Sequence, residues 1–177
     1  DMVEGWLGEE TFREGVRNYL DANVHGTATT EKLLDSLGEA SGKAVRQVTG
    51  QFLDQPGGPL VTVNYDRQDC AESGTPELEL EQTRYRPAGS DIEVGEPWQI
   101  PMCVRYGHGD GEPVEECFVF EGSGEEPRKQ TVELDADTCP GWIHPNADES
   151  GYYHWKLAPV GQNTGLLEHL EALSLRE

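Results

Sequence analysis

The hydrophobic period of this chain changes once, at Gln55-Pro56-Gly57-Gly58-Pro59, and no single regular element can span that change. Upstream of it the period is helical. Phe12, Val16, Tyr19 and Leu20 recur at i, i+4, i+7 and i+8, which predicts one apolar face on a helix from about Glu9 to Ala22. The acidic pair Glu9-Glu10 suits the positive end of that helix, and Asn23-Val24-His25-Gly26 stops it. Thr29 or Thr30 then caps a second helix with Leu33, Leu34, Leu37 and Ala40 facing inward, until Ser41-Gly42. A third, from about Lys43 to Leu53, turns Val45, Val48 and Phe52 inward, and the prolines and glycines that follow end it. The joint apolar face is narrow and calls for a neighbouring surface.

Downstream the period is two. Leu60 to Tyr65 reads as a strand, and Glu77-Leu78-Glu79-Leu80-Glu81 alternates as a strand with one wet face does. Trp98, Ile100, Met102, Val104 and Tyr106 alternate with Gln99, Pro101, Cys103 and Arg105. The turn around His108-Gly109-Asp110-Gly111 joins them to Glu116-Cys117-Phe118-Val119-Phe120. Gln130 to Leu134, Gly141 to His144 and Tyr152 to Leu157 complete about seven short strands, and 21 Gly and 11 Pro supply the turns between them. The expected fold class is α+β: a short N-terminal helical subdomain, an antiparallel immunoglobulin-like β-sandwich, then a C-terminal helix from Thr164 to Leu175 through Leu166, Leu167, Leu170 and Leu173.

Charge narrows the partners. Asp and Glu number 34 against 13 Lys and Arg, a net charge of −21, and the excess lies mostly after residue 58. Such a chain repels phosphate backbones and anionic lipid, which argues against nucleic acid and membrane surfaces. No apolar run reaches the roughly 18 residues a membrane span requires. The opening Asp1-Met2-Val3-Glu4-Gly5-Trp6-Leu7 starts inside an amphipathic pattern, so the sequence reads as a piece of something longer.

Chemistry is sparse. The sequence has no H-E-x-x-H, C-x-x-C, EF-hand loop or phosphate-cradling glycine loop, and no G-x-S-x-G elbow. His144 and His154 lie near Cys139, but their spacing matches no standard zinc set and favours ordinary strand-end histidines. The carboxylates of alternating strands read as a solvated face. Trp98, Trp142, Tyr152, Tyr153 and Trp155 can be read as a sugar-stacking platform or as core. Tyr152 and Tyr153 point to opposite faces, which favours core.

The four cysteines carry more. Cys103 and Cys117 sit symmetrically about the hairpin turn, on the face opposite Trp98, Ile100, Met102, Val104, Phe118 and Phe120. Directly opposed residues of an antiparallel pair have Cα atoms about 4.5–5.5 Å apart, within disulfide reach. The alternative is two thiols. Cys70, in the loop after the first strand, and Cys139, before Pro140-Gly141-Trp142, would close a long loop if paired, and four cysteines allow three connectivities. Two bridges would place folding outside the reducing cytosol, in the periplasm or outside the cell.

Three stretches then stand together: Trp6-Leu7-Gly8-Glu9-Glu10-Thr11-Phe12 through Gly15 to Tyr19-Leu20, Gly26-Thr27-Ala28-Thr29-Thr30-Glu31-Lys32-Leu33, and Gln55-Pro56-Gly57-Gly58-Pro59-Leu60-Val61-Thr62-Val63. They resemble the gluzincin zinc aminopeptidases, the aminopeptidase N family. Gly151-Tyr152-Tyr153-His154-Trp155 resembles the strand that closes that family's β-sandwich, with His154 where Arg is usual. The resemblance implies that residues 1–58 are the helical end of a thermolysin-like catalytic domain, 59–160 a β-sandwich domain and 161–177 the start of a C-terminal helical domain. It further implies that the family's zinc ligands, general base, N-terminus-binding loop and intermediate-stabilising Tyr all lie upstream. No catalytic, cofactor or metal residue carries over onto this sequence; zinc belongs to the parent enzyme. The implied role is scaffold and spacer, with the rest of the parent as partner and peptides as the parent's substrates. The rival reading is an independent β-sandwich module that binds carbohydrate or protein.

Overall fold

A computed structural model describes residues 1–91, 95–109, 111–122, 127–158 and Leu166. The chain is mixed α and β and divides into two units, Asp1–Pro56 and Gly57–Glu177.

The first unit holds α1 (Met2–Leu7), α2 (Glu9–Ala22), α3 (Thr30–Ser41) and α4 (Val45–Asp54). Thr29 is the cap of α3: its hydroxyl accepts from the Lys32 N–H at 3.4 Å. Gly42, at φ 67°, ends the helix as only a residue without Cβ does freely. The α2–α3 hairpin closes on Gly15, whose carbonyl accepts from Ser36 Oγ at 2.8 Å and whose Cα faces Leu37. The buried apolar residues of the unit are Trp6, Leu7, Leu34, Leu37, Val45 and Val48. Lys43 Nζ donates to the Trp6 carbonyl at 2.6 Å and lies over its ring. Leu20 departs from the expected inward face and is 59% exposed. Five residues at 100° each carry it about 140° around α2 from the Gly15 contact, so it points away from α3.

The second unit has seven strands among the described residues: β1 (Pro59–Asn64), β2 (Glu77–Arg84), β3 (Ile100–Gly107), β4 (Val114–Phe120), β5 (Arg128–Glu133), β6 (Trp142–His144) and β7 (His154–Leu157), with helix α5 (Arg67–Ser73) after β1. They form a four-stranded sheet, β5-β2-β1-β7, and a three-stranded sheet, β4-β3-β6. The expectation of a purely antiparallel arrangement is corrected at one edge: β7 runs parallel to β1, Leu60 beside His154 and Val63 beside Leu157. The chain reaches that edge from β6 in the other sheet, a crossover long enough to return in the same direction. Strand β7 also begins at His154, two residues later than the aromatic pattern predicts.

Helix α5 corrects a second expectation, because Cys70 lies on it and not in a loop. Asp66 supplies the cap, accepting from the Gln68 and Asp69 N–H groups, and Gly74 at φ 77° ends it. The core of this unit gathers Val61, Val63, Tyr65, Leu78 and Leu80 from one sheet with Trp98, Ile100, Met102, Val104, Tyr106, Phe120 and Ile143, while Phe118 is half-buried. Buried Gln82 on β2 clasps the backbone that enters β3, donating to the Trp98 carbonyl and accepting from its N–H, both at 2.8 Å. The Arg84 guanidinium lies 4.2 Å over the Trp98 ring. The expected C-terminal helix and the 161–177 segment fall outside the described residues, apart from buried Leu166.

Candidate functional site

Strand β3 is buried on both faces, which an alternating pattern does not announce. Its first face carries the core just described. The second carries Pro101, Cys103, Arg105 and Gly107, in register with Cys117 and Glu115 of β4 and with Trp142 and His144 of β6. A tight turn covers this second face: Asn146 to Gly151, in which Asp148 and Glu149 take φ of 54° and 49°. Two successive non-glycine residues in the left-handed region are strained, and polar contacts hold them there. Asn146 accepts from the Gly151 N–H at 2.8 Å and donates to Glu149 and to the Gly151 carbonyl. Arg105, whose side chain is mostly buried, pairs with Asp148 at 2.9 Å and with Glu115 at 3.1 Å.

Beneath the turn, His144 is 1% exposed. Its Nδ1 accepts from the Asn146 N–H at 3.3 Å, which puts the ring proton on Nε2, facing Glu149 at 3.4 Å. Trp155 meets the same carboxylate through its indole N–H. Tyr153 donates to the Pro145 carbonyl at 2.7 Å, and burial drives its phenol far above the usual tyrosine range. A His–Glu pair has the makings of a general base, but no substrate atom reaches a ring this deeply covered. The arrangement braces the chain between β6 and β7. His154 instead lies on exposed β7 with its ring 4.0 Å from Tyr85, and Cys139 is in a disulfide, so the structure does not bring Cys139, His144 and His154 together as ligands.

The structure pairs the four cysteines as Cys70–Cys139, with Cα atoms 5.9 Å apart, and Cys103–Cys117, with Cα atoms 4.1 Å apart. The second pair sits in direct register on the covered face of β3. Cys103 is 6% exposed, whereas Cys117, on the edge strand β4, is open to solvent. The first ties α5 to the loop before β6 and closes a loop of 69 residues, against 14 for the second. Chain entropy assigns them about 4 and about 3 kcal/mol of stabilisation respectively. Trp98, Trp142 and Tyr153 are core residues and Trp155 is half-buried; of the five aromatics only Tyr152 stands well exposed.

Arg105, Asn146, Asp148 and Glu149 escape a motif search, because their role depends on a turn whose backbone conformation the residue types disfavour. The string Pro145-Asn146-Ala147-Asp148-Glu149-Ser150-Gly151 does signal a turn, and Gly151 marks its tightest point: a Cβ there would meet the Tyr153 ring at 2.1 Å.

Known proteins similar to this chain are aminopeptidases. Residues 1–52 match the Peptidase family M1 domain. The chain is 32% identical over 172 residues to "Aminopeptidase 2, mitochondrial" of Saccharomyces cerevisiae, an alignment covering 94% of this chain and 16% of that protein. It is 30% identical over 189 residues to the puromycin-sensitive aminopeptidase of Caenorhabditis elegans, covering 97% and 19%. Over 105 residues it is 34% identical to the aminopeptidase N of Lactobacillus delbrueckii subsp. lactis, covering 59% and 11%. The chain thus spans less than a fifth of the length of these relatives. A catalytic-domain match on its helical unit and aminopeptidases aligned along nearly its whole length support reading the chain as a segment of a peptidase family M1 aminopeptidase.

Proposed function

We propose that the chain is a framework segment of a zinc metallo-aminopeptidase, whose whole protein removes N-terminal amino acids from peptides. The observation that carries this reading is a pairing. Aminopeptidases align along the chain, yet its own residues do not fit a catalytic zinc centre. The sequence has no H-E-x-x-H, and among the described residues the one group of three clustered ligand types is Cys103, Glu115 and Cys117, whose sulfurs are joined.

In this reading residues 1–58 complete a thermolysin-like domain, 59–160 form an immunoglobulin-like sandwich and 161–177 begin a C-terminal helical domain. Support for the first boundary comes from the end of the family match at residue 52 and the unit break after Pro56. The Gln82–Trp98 clasp and the Tyr65 hydroxyl donating to the Pro140 carbonyl at 3.0 Å support two sheets closed face to face. Two crosslinks within the second unit suit a stiff spacer that sets the placement of flanking domains, which governs substrate access without a reacting group. They also support folding in an oxidising compartment and hence export. The partners are the rest of the parent enzyme, with peptides as the parent's substrates.

The test is direct. The purified chain is offered a chromogenic amino-acid anilide, with and without chelator and added zinc, and no turnover is expected. Cleavage that chelator abolishes, metal restores and this chain alone accounts for would sink the reading.

A further inference from the structure

The two disulfides differ in access, and one of them closes over a third ligand. We propose that Cys103, Cys117 and Glu115 form a redox-gated site for a soft divalent cation, shut while the disulfide is intact and opened by a dithiol. The two sulfurs and a Glu115 carboxylate oxygen all lie within 4.8 Å of one another, and Glu115 Oε1 is 4.0 Å from Cys117 Sγ. The three residues share one face of the β3–β4 hairpin, Cys103 opposed to Cys117 and Glu115 two residues before Cys117.

Opening begins at the exposed sulfur. A dithiol thiolate attacks Cys117 Sγ, a mixed disulfide forms, the Cys103–Cys117 bond breaks and Cys103 leaves as thiolate and takes a proton. The reductant's second thiol then attacks its own sulfur in the mixed disulfide, closing a cyclic disulfide and releasing Cys117. Two electrons pass from the dithiol to the cystine. In the other disulfide Cys70 is 2% exposed and Cys139 is half-buried, so neither end is as open to attack as Cys117. The hairpin keeps its register without the bond, because the ladder from Ile100–Phe120 to Tyr106–Val114 holds both strands.

The freed sulfurs need only turn about their Cα–Cβ bonds to flank a metal. Zinc–sulfur bonds of about 2.3 Å in tetrahedral geometry put two sulfurs about 3.8 Å apart, well inside the reach of residues whose Cα atoms are 4.1 Å apart. Two thiolates select soft cations, and the carboxylate supplies a third ligand. Binding releases both thiol protons. Arg105 now pairs with Glu115, but its second partner, Asp148 at 2.9 Å, retains the guanidinium when Glu115 swings to the metal.

The test uses the whole 177-residue chain, treated anaerobically with limiting dithiothreitol, freed of reductant and titrated with Co²⁺. Two thiols per chain are expected, mapping to Cys103 and Cys117, with an unchanged far-ultraviolet circular dichroism spectrum. One equivalent of Co²⁺ then gives a thiolate-to-cobalt charge-transfer band that the oxidised chain does not give. Cys117→Ser abolishes the band, and Glu115→Gln weakens binding by about tenfold or more. Release of all four thiols together, collapse of the spectrum on reduction, absence of the band, or undiminished affinity in Glu115→Gln would each overturn the proposal.

Discussion

Tyr65, Tyr106 and Tyr153 share one physical situation: each phenol is buried and donates to an oxygen. Tyr65 donates to the Pro140 carbonyl, Tyr106 faces the Asp135 carbonyl at 3.1 Å and the Glu116 carboxylate, and Tyr153 meets Pro145. Burial, the largest cause, pushes Tyr65 and Tyr106 from 10 up to about 12, and for Tyr106 the Glu116 charge adds to it. An acid whose folded value lies above its unfolded one favours the folded state fully below the unfolded value. That contribution is lost as pH rises through the folded value. Stability should therefore show no tyrosine-linked loss up to about pH 10 and fall between 10 and 12. Tyr65→Phe costs about 1 kcal/mol at neutral pH by leaving the Pro140 carbonyl without its donor, and it flattens the alkaline decline. Thermal unfolding followed from pH 8 to 12 checks both; parallel alkaline declines in variant and parent would clear Tyr65 of this role.

At the scale of elements, two glycines in helices make opposite predictions from one substitution. A Cβ on Gly15 would sit 2.8 Å from Leu37 Cδ2 and 3.0 Å from Leu37 Cα, and the second contact is backbone that cannot rotate away. Alanine's helix preference, worth about 1 kcal/mol, is outweighed there by overpacking of about 1–3 kcal/mol. Gly50 on α4 would meet only Asp54 Oδ2 at 3.7 Å, an ordinary contact, so the helix term wins. Gly15→Ala should lower stability by about 1–2 kcal/mol and Gly50→Ala raise it by up to about 1 kcal/mol, as urea midpoints at constant m will show. The sequence announces α2 to its end residues, because four apolar positions share one stripe, but not the glycine that sets how close α3 comes. The Leu78–Leu80 alternation and the Cys103–Cys117 register are likewise legible, being set by a period of two. The parallel β1–β7 edge and α5 are not. One depends on where a long crossover returns, and the other is a seven-residue helix held by an Asp66 cap and a disulfide. The covered face of β3 is hidden for a related reason: its lid is a strained turn more than forty residues further along the chain than Arg105, which pairs with Asp148 of that turn.

At the scale of the molecule, the two units are stabilised by different means, each internal to itself. The helical unit has 56 residues and no crosslink, and it leaves Leu20, Val24 and Leu53 about 60% exposed. A chain of that size buries only about 60% of its unfolded surface, which leaves a thin margin over conformational entropy. The β unit concentrates the large buried side chains and both disulfides, which remove unfolded conformations. Against this stands its acidity: Glu77 faces Glu133 directly across the β2–β5 ladder, and most of the net −21 charge lies in this half of the sequence. Crosslinks and core together outweigh such exposed repulsion, which is worth tenths of a kcal/mol per pair at ordinary salt. Native-state hydrogen exchange should then rank the amides of β1, β2 and β3 above those of α2, α3 and α4 by at least about 1.4 kcal/mol, a factor of ten in rate. Reducing both disulfides should narrow that gap, since it returns entropy to the unfolded β unit and leaves the helices untouched. Helical amides that outlast the strands, or a gap indifferent to reduction, would mean that the crosslinks do not set the order of stability.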